Sequence, residues 1–205
     1  MTGFLIAAWA GLGGAAGAAL AAGLSWPVRA AVGMCSTLVF AALAWRFDAH
    51  PVLVAFSCFT AVGVVLAATD LTQRRLPNCL ILPSYPALVI ALGLAAASMR
   101  DYQSLLRAVL VSVAAVGLHL VLYLGLPGQL GGGDVKLAGL CGLTVGWVSW
   151  AAAGTALLLS YVSAAAALLV LNALACRRGR HRRGDLPLGP FLICSTLAIV
   201  LTGSA

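Results

Sequence analysis

A chain of 205 residues that is 62% hydrophobic and only 8% charged, with a mean hydropathy of +1.07, has too few charges to cover a water-facing surface. Soluble domains carry about 25% charged residues. A soluble globular domain is therefore excluded, and the composition predicts an all-α, polytopic transmembrane helix bundle forming a single domain over residues 1–205. The net charge of +7 could suit nucleic acid. The cations, however, sit in short breaks between apolar runs, as membrane topology requires, so lipid is the expected partner and nucleic acid is not.

At about 20 apolar residues per crossing, the chain divides into about eight spans. They cover roughly 3–24, 28–45, 52–70, 79–98, 104–126, 135–151, 153–175 and 188–204, with ends good to a few residues. No Lys or Arg precedes Arg29, so the first run lacks the basic start of a signal peptide and is expected to stay as a helix. Pro83 and Pro86 are the only prolines well inside a span. Between the sixth and seventh spans, residues 146–154 carry no charge. Trp147 and Trp150 favour the membrane–water interface, which places a tight turn there. The one polar run, Arg177 to Asp185, separates the last two spans. There is no internal repeat. The 23 glycines and abundant alanines suit close helix–helix approach in lipid.

With eight spans the breaks alternate between two sides. One side holds Arg29, Arg74, Arg75, Lys136, Arg177, Arg178, Arg180, Arg182 and Arg183, and the other holds Arg46, Arg100 and Arg107. The richer side is expected to be cytoplasmic, with both termini outside. Asp70, ending the third span, and Asp134, beginning the sixth, then lie at the same cytoplasmic edge. Charge at a membrane edge is costly and needs a reason.

Two carboxylates in one site do not both ionise easily, so the pair holds one proton near neutrality. One acid can then deprotonate a water while the other protonates or polarises a carbonyl, giving direct attack of water on a peptide. Gly131, Gly132 and Gly133, just before Asp134, would let a backbone approach closely and adopt conformations other residues avoid. Plainer readings stand beside this one. An aspartate at a helix start is most often an N-cap, which would account for Asp134. Asp70 could balance Arg74 or Arg75 at the interface.

No metal site is expected. The chain has no Glu, and His50, His119 and His181 are scattered. No cofactor is expected either. The cysteines at 35, 58, 79, 141, 176 and 194 show no C-x-x-C spacing. They are read as small buried hydrophobes rather than as zinc ligands or disulfides. His119, one turn from Tyr123, is expected to make a structural hydrogen bond inside the bundle. Lys136 reads as a cytoplasmic anchor with an open electrostatic role, the arginines at 177–183 as a topology and headgroup signal, and Asp185 as their balance.

Three blocks carry a resemblance. Gly131-Gly132-Gly133-Asp134 fits the GxGD motif of membrane aspartic peptidases, and its continuation Val135-Lys136-Leu137 is similar to the type IV prepilin peptidases. Asp70 followed by Leu76-Pro77-Asn78 resembles the first catalytic aspartate of the same family, which precedes a Leu/Ile-Pro-Asn element. Pro187-Leu188-Gly189-Pro190-Phe191 resembles the entry to its final span. The resemblance implies an aspartic endopeptidase of a prokaryotic cytoplasmic membrane with Asp70 and Asp134 as catalytic acids. Gly131, Gly133, Lys136, Pro77, Asn78, Pro187, Gly189 and Pro190 support the motifs. The substrate it implies is a prepilin or pseudopilin precursor whose basic leader is removed at the cytoplasmic face. Larger relatives carry a soluble domain after the first span, often with paired C-x-x-C ligands, associated with N-methylation. Here Ser25 to Arg29 leaves no room for it, which implies a peptidase without methyltransferase activity. A small proton-coupled carrier and a non-catalytic pilus-assembly scaffold remain as alternatives.

Overall fold

The computed structural model describes residues 2–125, 130–177 and 186–203. Among the described residues there are eight helices and no strand: α1 (Thr2–Leu20), α2 (Trp26–Phe47), α3 (Val52–Gln73), α4 (Asn78–Met99), α5 (Tyr102–Gly125), α6 (Gly132–Val148), α7 (Trp150–Arg177) and α8 (Gly189–Thr202). These match the eight segments read from the apolar runs, so the chain is a polytopic helical bundle. Six helices are long and apolar enough to cross a membrane, whereas α6 has 17 residues and α8 has 14. At 1.5 Å per residue α8 extends only about 21 Å, short of a hydrocarbon core of about 30 Å. These two short helices sit inside the bundle. In α6, 12 of 17 residues are buried, which makes it the centre around which the others pack.

Small residues let α6 sit there. Its Gly142 and Gly146 face α5 so closely that a Cβ would stand 2.9 Å from Ser112 Cα and 2.8 Å from Ala108 Cα. The contact brings the Ser112 hydroxyl within 2.8 Å of the Gly139 carbonyl, to which it donates. On the other side α6 meets α3, α4 and α8 through Leu137, Leu140, Phe56, Leu92 and Ile193, all fully buried. Helix α4 continues through Pro83 and Pro86, and the Ser84 hydroxyl donates to the Leu80 carbonyl one turn back.

The break between α6 and α7 is a single residue. Ser149 is fully extended (φ −170°, ψ 168°), and its hydroxyl accepts the Ala152 N–H at 2.9 Å, starting α7. The two tryptophans around it differ: Trp150 is exposed as an interfacial residue should be, while Trp147 is buried. The carbonyls at the end of α6 are taken up by a neighbour. Arg107 of α5 donates to Gly146 at 2.7 Å, to Trp147, and to Val148 at 3.2 Å. Arg46 of α2 does the same for α8, donating to the Gly203 carbonyl at 2.8 Å. Unpaired helix-end carbonyls carry partial negative charge, so a guanidinium there is favourable. Two of the three cations on the poorer side are thus helix-end partners.

The cysteine reading needs correction. All six are free, but only Cys141 is buried, and Cys35, Cys79, Cys176 and Cys194 are exposed on the bundle surface. In a bilayer, lipid covers an apolar side chain as well as protein does, so a small hydrophobe need not face the core. The readings on residues 178–185, including the arginines, His181 and Asp185, lie outside the described residues.

Candidate active site

Asp70 lies in the last turn of α3 and is buried. The helix ends at Arg74, which takes a left-handed conformation (φ 51°, ψ 37°) and donates its N–H to the Asp70 carbonyl at 3.0 Å. Pro77 then restricts the residue before it, stands extended (φ −68°, ψ 122°), and starts α4 at Asn78. The Asp70 carboxylate points at the start of α8, where its Oδ2 accepts the Gly189 N–H at 3.1 Å. That amide is one of the unpaired donors at a helix N-terminus, where a carboxylate is favoured. Pro190 occupies the first turn of α8, where its missing N–H costs nothing, and half-buried Pro187 precedes it. Gly189 is required by space. A Cβ there would stand 2.6 Å from Asp70 Oδ2 and 3.3 Å from Leu137 Cδ2. Asp70 forms no ion pair with Arg74 or Arg75, so the interface-charge reading does not describe it.

Asp134 is the third residue of α6, not its N-cap, which is Gly131. Its Oδ2 accepts the Gly131 N–H at 3.1 Å, while Asp134 N–H donates to the Gly131 carbonyl at 3.0 Å. The acid therefore helps to begin its helix, as the plainer reading anticipated, from a different position. The three glycines play unequal parts. Gly131 has an ordinary extended backbone (φ −83°, ψ 145°), so left-handed freedom is not what the turn uses there. At Gly133 a Cβ would stand 2.9 Å from Leu76 Cβ, so close approach is the requirement, whereas at Gly132 a Cβ would meet nothing within 4 Å.

The two acids line one pocket of about 420 Å³, together with Arg74, Arg75, Asn78 and Lys136. Lys136 donates from Nζ to Asn78 Oδ1 at 2.8 Å. Its carbonyl accepts the Tyr85 hydroxyl at 2.6 Å. These bonds fasten the first turn of α4 and its Tyr85 to the first turns of α6. All the residues singled out in the three sequence blocks thus converge on one end of the bundle.

Each carboxylate has its Oδ2 engaged by a backbone N–H, and both acids line the same pocket. Such a pair can hold one proton between two acids and act as base and acid together. Among the described residues no cluster of three or more His, Cys, Asp or Glu side chains could hold a metal ion.

His119 lies apart from these acids and is fully buried. Its Nδ1 is 2.9 Å from the Ala115 carbonyl and its Nε2 is 3.1 Å from the Tyr161 hydroxyl. A carbonyl only accepts, so Nδ1 carries the proton and Nε2 accepts from the tyrosine. The structural hydrogen bond is as anticipated, and the partner that the sequence left unnamed comes from α7. Tyr85 is a neighbour of the site that pattern reasoning passed over, and Leu76 was read only as part of the Leu76-Pro77-Asn78 element. The one trace of Tyr85 in the sequence is Gly139, where a Cβ would collide with its hydroxyl.

No curated protein and no solved structure matches the chain. A family model, described as the type IV leader peptidase family, matches residues 57–176, from α3 ahead of Asp70 into α7 well beyond Asp134. That match spans more than half of the chain and takes in both acids and the turns that hold them, so the chain belongs to the type IV leader peptidase family.

Proposed function

We propose that this protein is a membrane aspartic endopeptidase that removes the basic leader from type IV pilin-like precursors at the cytoplasmic membrane face, with Asp70 and Asp134 as its catalytic acids. The observation that carries the reading is their convergence from α3 and α6 on one pocket, each with one oxygen held by a backbone N–H.

In the reaction, the ionised carboxylate takes a proton from a water, and the water oxygen bonds to the scissile carbonyl carbon. The protonated carboxyl donates its proton to the carbonyl oxygen. The tetrahedral gem-diol then collapses: a proton passes to the peptide nitrogen, the C–N bond breaks, and a carboxylic acid and an amine leave. No covalent enzyme intermediate forms. The compact link between α1, ending at Leu20, and α2, beginning at Trp26, supports peptidase activity without methyl transfer.

The test is cleavage of a prepilin by the purified protein in lipid, comparing wild type with Asp70→Asn and Asp134→Asn. Leader release by wild type and by neither variant is the expected result. Mass spectrometry of the product reports the scissile bond and any methylation. Cleavage that persists in either variant removes the two-aspartate mechanism. Aspartate-dependent proton flux in liposomes free of peptide would favour a carrier.

A further inference from the structure

Four helices leave an apolar cavity of about 280 Å³ between α5, α6, α7 and α8. Its walls continue the two helix faces that begin at the acids. On α6, Asp134 is followed at helical spacing by Ala138, Cys141 and Val145, which line the cavity. Residues spaced i, i+4, i+7 and i+11 share one face. On α8, Gly189, the residue bonded to Asp70, is followed by Leu192 and Thr196 on the cavity wall. The cavity thus begins one turn beyond Asp134 and Gly189, on the same faces of α6 and α8.

Its outer wall is α7, and that wall is lightly held. Only 6% of the apolar window of α7 is buried, against 61% for α3. Among the described residues, Tyr161–His119 is the single side-chain hydrogen bond from α7 to another helix, beside the packing of Ala153 and Ala156 on Val111, Val145 and Ile199. The rim residues Leu118 and Trp150 are exposed on the lipid-facing surface.

We propose that this cavity seats the apolar segment of the substrate that follows the scissile bond, with α7 as the wall that yields and Tyr161–His119 as its clasp. The inference rests on the peptidase reading above. The polar pocket with the acids suits the peptide backbone at the scissile bond, and an apolar segment belongs in the bilayer. The cavity is the apolar space on the helix faces that carry Asp134 and the Gly189 partner of Asp70. At about 280 Å³ it lies just below the usual range of ligand pockets, so it takes side chains from one face of a helix rather than a whole helix. The small side chains of Ala114, Ala153 and Ala156 suit close approach of another helix in lipid.

The test fills the cavity. Gly154 lines it, and a Cβ there meets nothing within 4 Å, so the side chain of Gly154→Phe starts from open space at the cavity wall. Ala114→Phe fills it from the opposite wall. Gly117→Phe is the control, since Gly117 also has open space but does not line the cavity. The probe is a synthetic peptide with a basic leader and an apolar helix of about 20 residues, carrying a photoreactive group one turn beyond the scissile bond. Binding is read as cross-linking in protein with Asp70→Asn and Asp134→Asn, where no turnover occurs, and KM is read in protein with both acids intact.

Each filling variant is expected to lower cross-linking and raise KM by about tenfold or more, as loss of an apolar pocket contact does, with kcat retained. The control should match the parent protein. Cross-links without filling are expected on α6 and α7. Unchanged cross-linking and KM in both filling variants, as for a cavity that holds only lipid chains, overturn the proposal. So do cross-links confined to other helices. Because binding is measured without turnover, failure of the protein with both acids intact to cleave the peptide would remove the peptidase reading while leaving the binding result to stand separately.

Discussion

Replacing Gly189 with alanine adds one methyl group at the point where α8 meets Asp70. The new Cβ would lie 2.6 Å from Asp70 Oδ2, and carbon–oxygen contacts rest at about 3.3 Å or more, so about 0.7 Å must be found. The helix has little room to supply it, because Leu137 Cδ2 is already 3.3 Å from the same position. The carboxylate must swing, and the 3.1 Å bond from Gly189 N–H lengthens or breaks. A misplacement approaching 1 Å costs on the order of 100-fold in rate. The lost charged hydrogen bond and the overpacking each cost about 1–3 kcal/mol of stability. The expected result is therefore a fall of about 100-fold in kcat/KM, mostly in kcat, with a folded protein of lowered Tm. The assay is precursor cleavage beside thermal unfolding in the same detergent. Gly93→Ala and Gly117→Ala, whose Cβ atoms meet nothing within 4 Å, control for losing a glycine from a helix. Gly189→Ala activity within about threefold of wild type, well short of that 100-fold loss, would refute both the steric argument and the importance of the tether.

Three further outcomes follow from the same geometry. In the glycine run, Gly133→Ala should be strongly impaired by its approach to Leu76, while Gly132→Ala should cleave within about threefold of wild type. Equal loss in both would mean the run serves backbone freedom after all. Lys136→Met and Asn78→Ala should each reduce kcat/KM by about tenfold, and the double variant no further, because they share one hydrogen bond. Additive losses would show that the bond does not couple them. Cleavage should follow a bell-shaped pH profile. It should fall as pH rises and the shared proton leaves, and fall as pH drops and both acids are protonated. A flat profile with chemistry rate-limiting would remove the shared-proton step.

The helices were legible because each apolar run is bounded by charge, proline or glycine. Even the narrow joint between α6 and α7 showed itself through the flanking tryptophans, although its place at Ser149 and the cap that Ser149 supplies did not. The runs 135–151 and 188–204 were already short, but that protein packs around α6 and α8 was hidden, since hydropathy measures a run of residues and not whether protein or lipid surrounds it. Asp70 and Asp134 could be picked out as acids beside apolar runs, but the Gly189 amide that holds Asp70 is 119 residues away, and no local pattern links them. His119 shows the same limit. Its ring finds Tyr161 across the bundle, a partner that helical spacing along α5 cannot name. The glycines before Asp134 drew attention for conformational freedom, and their value in the fold is the nearness of Leu76 to Gly133.

The tether on each acid bears on how mutants of this protein should be interpreted. Asp134 begins a helix as well as facing the pocket, and Asp70 fixes the start of α8. Alanine at either position would remove an acceptor from a backbone N–H and disturb a helix terminus, so an inactive alanine variant would mix a folding defect with a chemical one. Asparagine keeps a carbonyl oxygen where Oδ2 now stands and removes the titratable proton. It is the substitution that separates the two jobs, and a gap in stability between the alanine and asparagine variants would measure the scaffolding share of each carboxylate.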